Sequence, residues 1–181
     1  MKSSLILSAA ALALLSACGS MSPAKPMFSQ AALPDAVKVP AGQKVAMETV
    51  GVGEITYECR EKQAAAGQFE WAFVGPNAVL NDRDGKAVGK YYGPPATWEA
   101  TDSSKVTGAQ VAIAPAAPGS IPLQLVKANP AMGQGAMTGV SYIQRVATMG
   151  GVAPASACGL DTKGKKEVVK YQADYIFWAA M

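Results

Sequence analysis

From about residue 40 onward, apolar and polar side chains alternate along most of the chain. In EITYECR, Ile55, Tyr57 and Cys59 fall on one face while Glu54, Thr56, Glu58 and Arg60 fall on the other. That is the pattern of a half-buried strand, and it puts Cys59 inside. In FEWAFV, Phe69, Trp71 and Phe73 share a face before GPN marks a turn. NDRDGK lies between Ala78-Val79-Leu80 and Ala87-Val88 and reads as a glycine-containing hairpin. TWEA is followed by the polar turn TDSSK and then by VTGAQVAIA, and in IPLQLVKA the alternation picks out Ile121, Leu123 and Leu125.

Two later segments depart from simple alternation. GVSYIQRV is apolar on both faces and reads as a strand covered on each side. VVKYQADYIFWA lines one face with Val169, Tyr171, Ala173, Tyr175, Phe177 and Ala179. At about 3.3 Å per residue that is long for one strand, which predicts a bulge or bend near Asp174. GGVAPASACG has room for a single helical turn from Pro154, enough to present Cys158. No segment carries a helical stripe of comparable length. Short strands separated by Gly, Pro, Asn and Asp turns predict one all-β domain over residues 41–181, an antiparallel β-sandwich or barrel-like fold with little helix.

The N-terminus has a different character. Lys2 precedes Leu5–Leu15, an apolar run of eleven residues that suits a signal-peptide core. A transmembrane helix needs about 20. Leu15, Ser16, Ala17 and Cys18 resemble the bacterial lipobox, a leucine and two small residues before an invariant cysteine. The resemblance implies cleavage before Cys18 and acylation of its thiol and new amino group, with several chains giving firm anchoring. Residues 1–17 are then a signal peptide, and residues 18–40 a lipidated tether whose four prolines resist helix and strand and whose last residues can dock on the domain. Gly19 resembles the residue found after the cysteine in outer-membrane lipoproteins. The expected location is therefore the cell envelope, on the outer membrane facing the periplasm.

Composition narrows the chemistry. The chain has 181 residues, half of them apolar, and part of that excess lies in the signal run. Its formal charge of +3 gives no electrostatic case for nucleic acid. It contains no histidine, and so lacks the commonest general base and zinc ligand. With Cys18 acylated, Cys59 and Cys158 remain, 99 positions apart in an oxidising compartment. A structural disulfide is expected, because a redox pair or metal site is poorly served without CxxC or histidine. No cofactor is expected either, since Gly51 and Gly53 precede no helix and make no nucleotide motif.

Candidate sites are few. NDRDG superficially resembles a calcium loop but lacks the spaced ligand series and the distant bidentate glutamate. Glu58, Glu61, Glu70 and Glu99 mostly alternate with apolar residues and so face solvent. Lys163, Lys165 and Lys166 read as a solvated hairpin tip, with contact to headgroups or wall polymer as the alternative. YYGPPATWEA gathers Tyr91, Tyr92, Trp98 and Glu99 around a turn. Such a set can hold a sugar ring of envelope polysaccharide or a small apolar ligand, or it can be a core corner, which is the reading favoured. Arg145 is a guanidinium within an apolar strand, to be paired with Glu99 or another acid, or used to bind an anion. The candidate ligand-binding set is thus Tyr92, Trp98, Glu99 and Arg145.

The blocks GVGEITYECR, FVGPNAVLNDRDGKAVGKYYGPPATWEATDSSKVTG, SIPLQLVKA, GVSYIQRVATMGGVAP and VVKYQADYIFW, in that order, resemble the family called domain of unknown function 3455 over roughly residues 39–178. The chain departs from it in having Tyr91-Tyr92 where the family usually has a His-Tyr pair, and in lacking the Trp that often follows the Ile-Pro of Ile121-Pro122. The family has no established activity, so the resemblance carries no catalytic residue over. The expected function is a non-catalytic binding or structural module of the envelope. The alternative is a carboxylate-dependent hydrolase or other enzyme.

Overall fold

A computed structural model describes residues 28–181. The expected signal peptide and Cys18 lie outside the described residues. Eight strands run in sequence order around a closed antiparallel barrel: β1 (Gln43–Glu61), β2 (Phe69–Asn81), β3 (Ala87–Tyr92), β4 (Thr97–Ala100), β5 (Lys105–Ala114), β6 (Leu123–Ala128), β7 (Val140–Gly150) and β8 (Lys166–Ala180). Each pairs with its neighbour in sequence, and β1 closes the ring against β8. Of the two all-β expectations, the barrel is the one adopted. Eight strands enclose a space that side chains can just fill.

The alternation read from the sequence lines that interior. Ile55 and Tyr57 of β1, Ala78 and Leu80 of β2, Tyr91, Trp98, Val126, Ile143, and Tyr171, Ala173, Tyr175 and Phe177 of β8 form one buried cluster. The alternation groups Leu123 and Leu125 with Ile121, but in the structure they lie outside the barrel, whereas Ile121 packs inside. Ile121 precedes β6, so the strand alternation does not extend to it. The wall carries ion pairs: Glu48–Arg83–Asp174, Lys90–Glu99 and Glu58–Arg60. An apolar inside and a charged outside are the reverse of a transmembrane barrel.

A second cluster explains the strands that are apolar on both faces. Residues 28–39, which include a 3-10 turn at Asp35–Val37, lie across the outside of the wall. Val37 and Val39 cover Ala114, Leu125, Val146, Ile176 and Trp178. Buried Gln144 fixes this strap, donating from Nε2 to Val37 O at 2.6 Å and accepting from Trp178 Nε1 at 2.9 Å. The described end of the expected tether is therefore docked.

The turns follow their polar residues. Asp82 Oδ1 accepts from the Asp84 and Lys86 amides and shapes the β2–β3 hairpin. Asp102 accepts from Ser104 and from the Ala136 amide, tying the β4–β5 turn to the β6–β7 loop. The extra residues expected near Asp174 come instead from β7, where the register shifts between Val146 and Met149 while β8 runs through. Helical geometry in the β7–β8 connection is a 3-10 turn at Leu160–Thr162, after Cys158 and not before it. Cys59 and Cys158 form a disulfide that pins this connection to β1.

Candidate functional site at the barrel mouth

The wall is uneven in height. β3 and β4 pair only from Gly89↔Ala100 to Tyr92↔Thr97, then turn at Gly93–Ala96. β2 continues past its last β3 partner, Asn77, back to Phe69, and β5 continues past its last β4 partner, Thr107, to Ala114. The short hairpin leaves a notch in one side of the barrel. Gly75 abuts the hairpin tip so closely that a Cβ there would lie 2.1 Å from Gly93 O. Above this contact the inward side chains of the two long strands lose their cover.

Two apolar residues mark the notch. Phe73 pairs with buried Tyr57 and shares its inward face, yet is 53% exposed. Its ring meets Tyr57 edge-on at 6.1 Å between centroids. Across the notch Ile113 pairs with Gln124, which pairs in turn with Arg145, and Ile113 is 50% exposed. Gln124 Nε2 donates to Gln110 Oε1 at 2.7 Å, so the rim mixes amides with apolar surface. Inside, Tyr91 stacks on Trp98 at 4.6 Å, both lean on Tyr175, and Tyr171 and Tyr175 join hydroxyls at 3.2 Å. This layer fills the barrel below the mouth.

Arg145 is partly buried at the top of that layer, where its strand neighbour across the ladder is the fully buried Tyr175. Its Nε and Nη2 both donate to one carbonyl, Pro122 O, at 3.2 and 2.9 Å. A guanidinium has five N–H groups. Among the described residues, no other protein acceptor and no carboxylate engages Arg145. Burial pushes the phenols of Tyr57, Tyr91, Tyr171 and Tyr175 up, and the Arg145 charge draws each of them back down, so the cation is felt across the tyrosine cluster.

The expected pairing of Arg145 with Glu99 is not found. Glu99 is on the outside of β4, where it accepts from the Tyr92 hydroxyl at 2.6 Å and pairs with Lys90 at 3.2 Å. The phenol and the ammonium hold its carboxyl below the usual range. The reason is parity: Tyr91 and Trp98 point in, so Tyr92 and Glu99 must point out. The four candidates thus separate into a core residue, Trp98, an outer-wall pair, Tyr92 and Glu99, and a mouth residue, Arg145.

Inward acid at this end is also engaged. Glu167, which pairs with Tyr57, binds Lys165 at 2.8 Å and Ser156 at 2.9 Å. Those contacts hold its carboxyl low. Glu58 and Glu61 are lowered by Arg60 and by the Gly67 amide with Lys163. A separate groove of about 680 Å³ lies on the outer wall over Val52, Val79 and Met149. Gly53 and Ala78 lie beneath it, and Glu54, Asn77, Lys170 and Gln172 add polar side chains to its lining.

The sequence marks Phe73 only as a strand-face residue, and Ile113, Gln110 and Gln124 stand outside its candidate set. The signal was in the turn spacing: GPP and TDSSK bracket a strand of only four residues beside one of ten. A family model described as protein of unknown function, DUF3455, matches residues 40–179. No curated protein and no solved structure matches the chain.

Proposed function

We propose that this chain, which belongs to the DUF3455 family, is a lipid-anchored envelope module that binds a small molecule at the mouth of its barrel and performs no chemistry on it. The observation that carries the reading is Arg145: a partly buried cation at the mouth, held by one carbonyl, with no acid against it among the described residues. Ion pairs that only stabilise a fold bring their own counter-charge, and the wall of this barrel has several. An arginine without one among the described residues, in register through Gln124 with exposed Ile113, has the make-up of a ligand site, apolar surface with one placed polar group. Catalysis by carboxylates is the weaker reading. Glu58, Glu61, Glu99 and Glu167 are each drawn toward the ionised form by cations, hydroxyls or an amide, the opposite of what a general acid needs.

The anchor is supported by the lipobox-like run into Cys18 and by the disulfide, which suits an oxidising compartment. Mass spectrometry of the membrane fraction tests it. Acylated Cys18 is expected, with Cys18→Ala left as unprocessed precursor. Soluble mature protein with a free Cys18 thiol would overturn the anchor. For binding, the test is amide NMR against a mixed set of acidic, neutral and basic fragments. Shifts gathered on Phe73, Ile113 and Arg145 are expected, and a mouth unmoved by every class would overturn the reading.

A further inference from the structure

We infer that the ligand is a small organic carboxylate with a short apolar or aromatic body, its carboxylate held on the free edge of the Arg145 guanidinium. The inference rests on the reading of the mouth as a binding site and adds the chemical class. Pro122 O takes the Nε–Nη2 edge of the guanidinium. What remains is the Nη1–Nη2 edge, two parallel donors in the fork geometry that a carboxylate accepts in bidentate fashion. The carbonyl is neutral, so it orients the fork without cancelling its charge. One full positive charge remains for the ligand. Glu167, the acid in the same inward row as Tyr57, cannot supply the counter-charge without giving up Lys165 and Ser156.

The body of the ligand is limited by packing. Tyr175 and Trp98 are fully buried and Tyr91 and Tyr171 nearly so, which closes the barrel beneath the arginine. A long acyl chain has no channel to descend. A ring or a short chain can lie instead in the notch between Phe73 and Ile113, covering their exposed halves. Gln110 and Gln124 sit on the β5–β6 side, where a polar substituent of the body would meet them. The neighbouring phenols stay protonated, since burial raises them, and a neutral hydroxyl layer does not repel an anion.

The experiment is isothermal titration of the full chain with phenylacetate, phenylacetamide and decanoate, with NMR to place the contact. Phenylacetate is expected to bind saturably with shifts at Phe73 and Ile113, and phenylacetamide at least tenfold more weakly. Decanoate should gain nothing from its longer chain. Arg145→Gln should weaken phenylacetate at least tenfold with little change in melting temperature, and Arg145→Lys should fall between, losing the fork but keeping the charge. Ile113→Gln, which leaves the arginine intact, should weaken acid and amide by a similar factor. Equal binding of acid and amide at the mouth, or an Arg145→Gln variant that binds as wild type, would overturn the carboxylate while leaving a binding site in place. Decanoate binding far more tightly than phenylacetate would overturn the short body. Failure of acid and amide alike to move any mouth resonance would remove the inference, and the fragment screen then decides separately whether the mouth binds anything.

Discussion

Replacing Trp98 tests the interior directly. The indole is 1% exposed, stacks on Tyr91 at 4.6 Å with its plane tilted by 18°, and meets Tyr175 at 6.0 Å. Trp98→Ala removes about 140 Å³ of side chain. At about 24 cal/mol per Å³, an unrelaxed cavity of that size alone costs about 3 kcal/mol, within the roughly 3–5 kcal/mol usual for a buried aromatic cut to alanine. For a domain of this length each kcal/mol moves the melting temperature by about 2–4 °C, so a fall of roughly 6–20 °C is expected.

Trp98→Phe separates volume from polarity. The Trp98 Nε1–H is buried without a hydrogen-bond partner among the described residues. Phenylalanine leaves a gap of about 40 Å³, a cost of about 1 kcal/mol by the same coefficient. It also removes an unsatisfied buried donor, which relieves about 1–3 kcal/mol. The two nearly cancel, so Trp98→Phe should stay within about 1–2 kcal/mol of wild type. Urea denaturation measures both variants, with Trp71 and Trp178 left as fluorescent probes. A Trp98→Phe variant as costly as Trp98→Ala would mean the indole N–H is engaged, and an unmoved midpoint for Trp98→Ala would mean the indole is not packed as described; either result refutes this account of the interior.

Breaking the disulfide by Cys158→Ala releases a 99-residue separation in the unfolded chain, worth up to about 4–5 kcal/mol in the loop-entropy model; urea midpoints with and without reductant should differ for wild type and coincide for the variant. Gly53→Ala puts a Cβ 2.2 Å from Asn77 O and 2.5 Å from Ala78 Cα, backbone atoms that can yield only by distorting the β1–β2 ladder. A loss of about 1–3 kcal/mol or more is expected, and a neutral calorimetric result would contradict the packing described. The interior phenols of Tyr91, Tyr171 and Tyr175 are raised above 10.0 by burial, so the folded state keeps protons that the unfolded state releases. Their contribution is full below about pH 10 and lost as pH rises beyond it, so stability should fall on the alkaline side and phenolate absorbance should appear together with unfolding. Ionisation of these tyrosines near pH 10 in intact barrel would refute it.

Strand identity was legible because the chain keeps its period. Val169, Tyr171, Ala173, Tyr175, Phe177 and Ala179 read as one face, and the first five of them form the barrel interior or its margin. Closure was not legible, since an alternating strand looks the same in a sandwich and a barrel, and only the β1–β8 pairing distinguishes them. The strap was hidden for a related reason. Ile176 and Trp178 face outward and are buried by Val37 and Val39, which come from a proline-rich stretch with no strand signal. At the site, proximity in sequence misled. Tyr92 and Glu99 sit beside Tyr91 and Trp98 in the chain and on the opposite side of the wall in space. Arg145 was legible as an anomaly, but its surroundings depended on how far β2 and β5 outrun the short hairpin between them.

That dependence bears on why the arginine is there. Glutamine or methionine at position 145 could cover the tyrosine layer without the cost of drawing a charge partly out of water. The ordinary offset for that cost is a carboxylate, and this barrel has acids to spare: Glu48 and Asp174 both serve Arg83 on the outer wall. At the mouth the offset is a single neutral carbonyl. The same few residues combine a short hairpin, exposed Phe73 and Ile113, and a guanidinium with an open edge. Each is unfavourable for a wall meant only to close, and together they are what a shallow site for an apolar anion requires. Local departures from an otherwise consistent pattern concentrate where a sequence is serving something besides stability. In this chain they concentrate around Arg145.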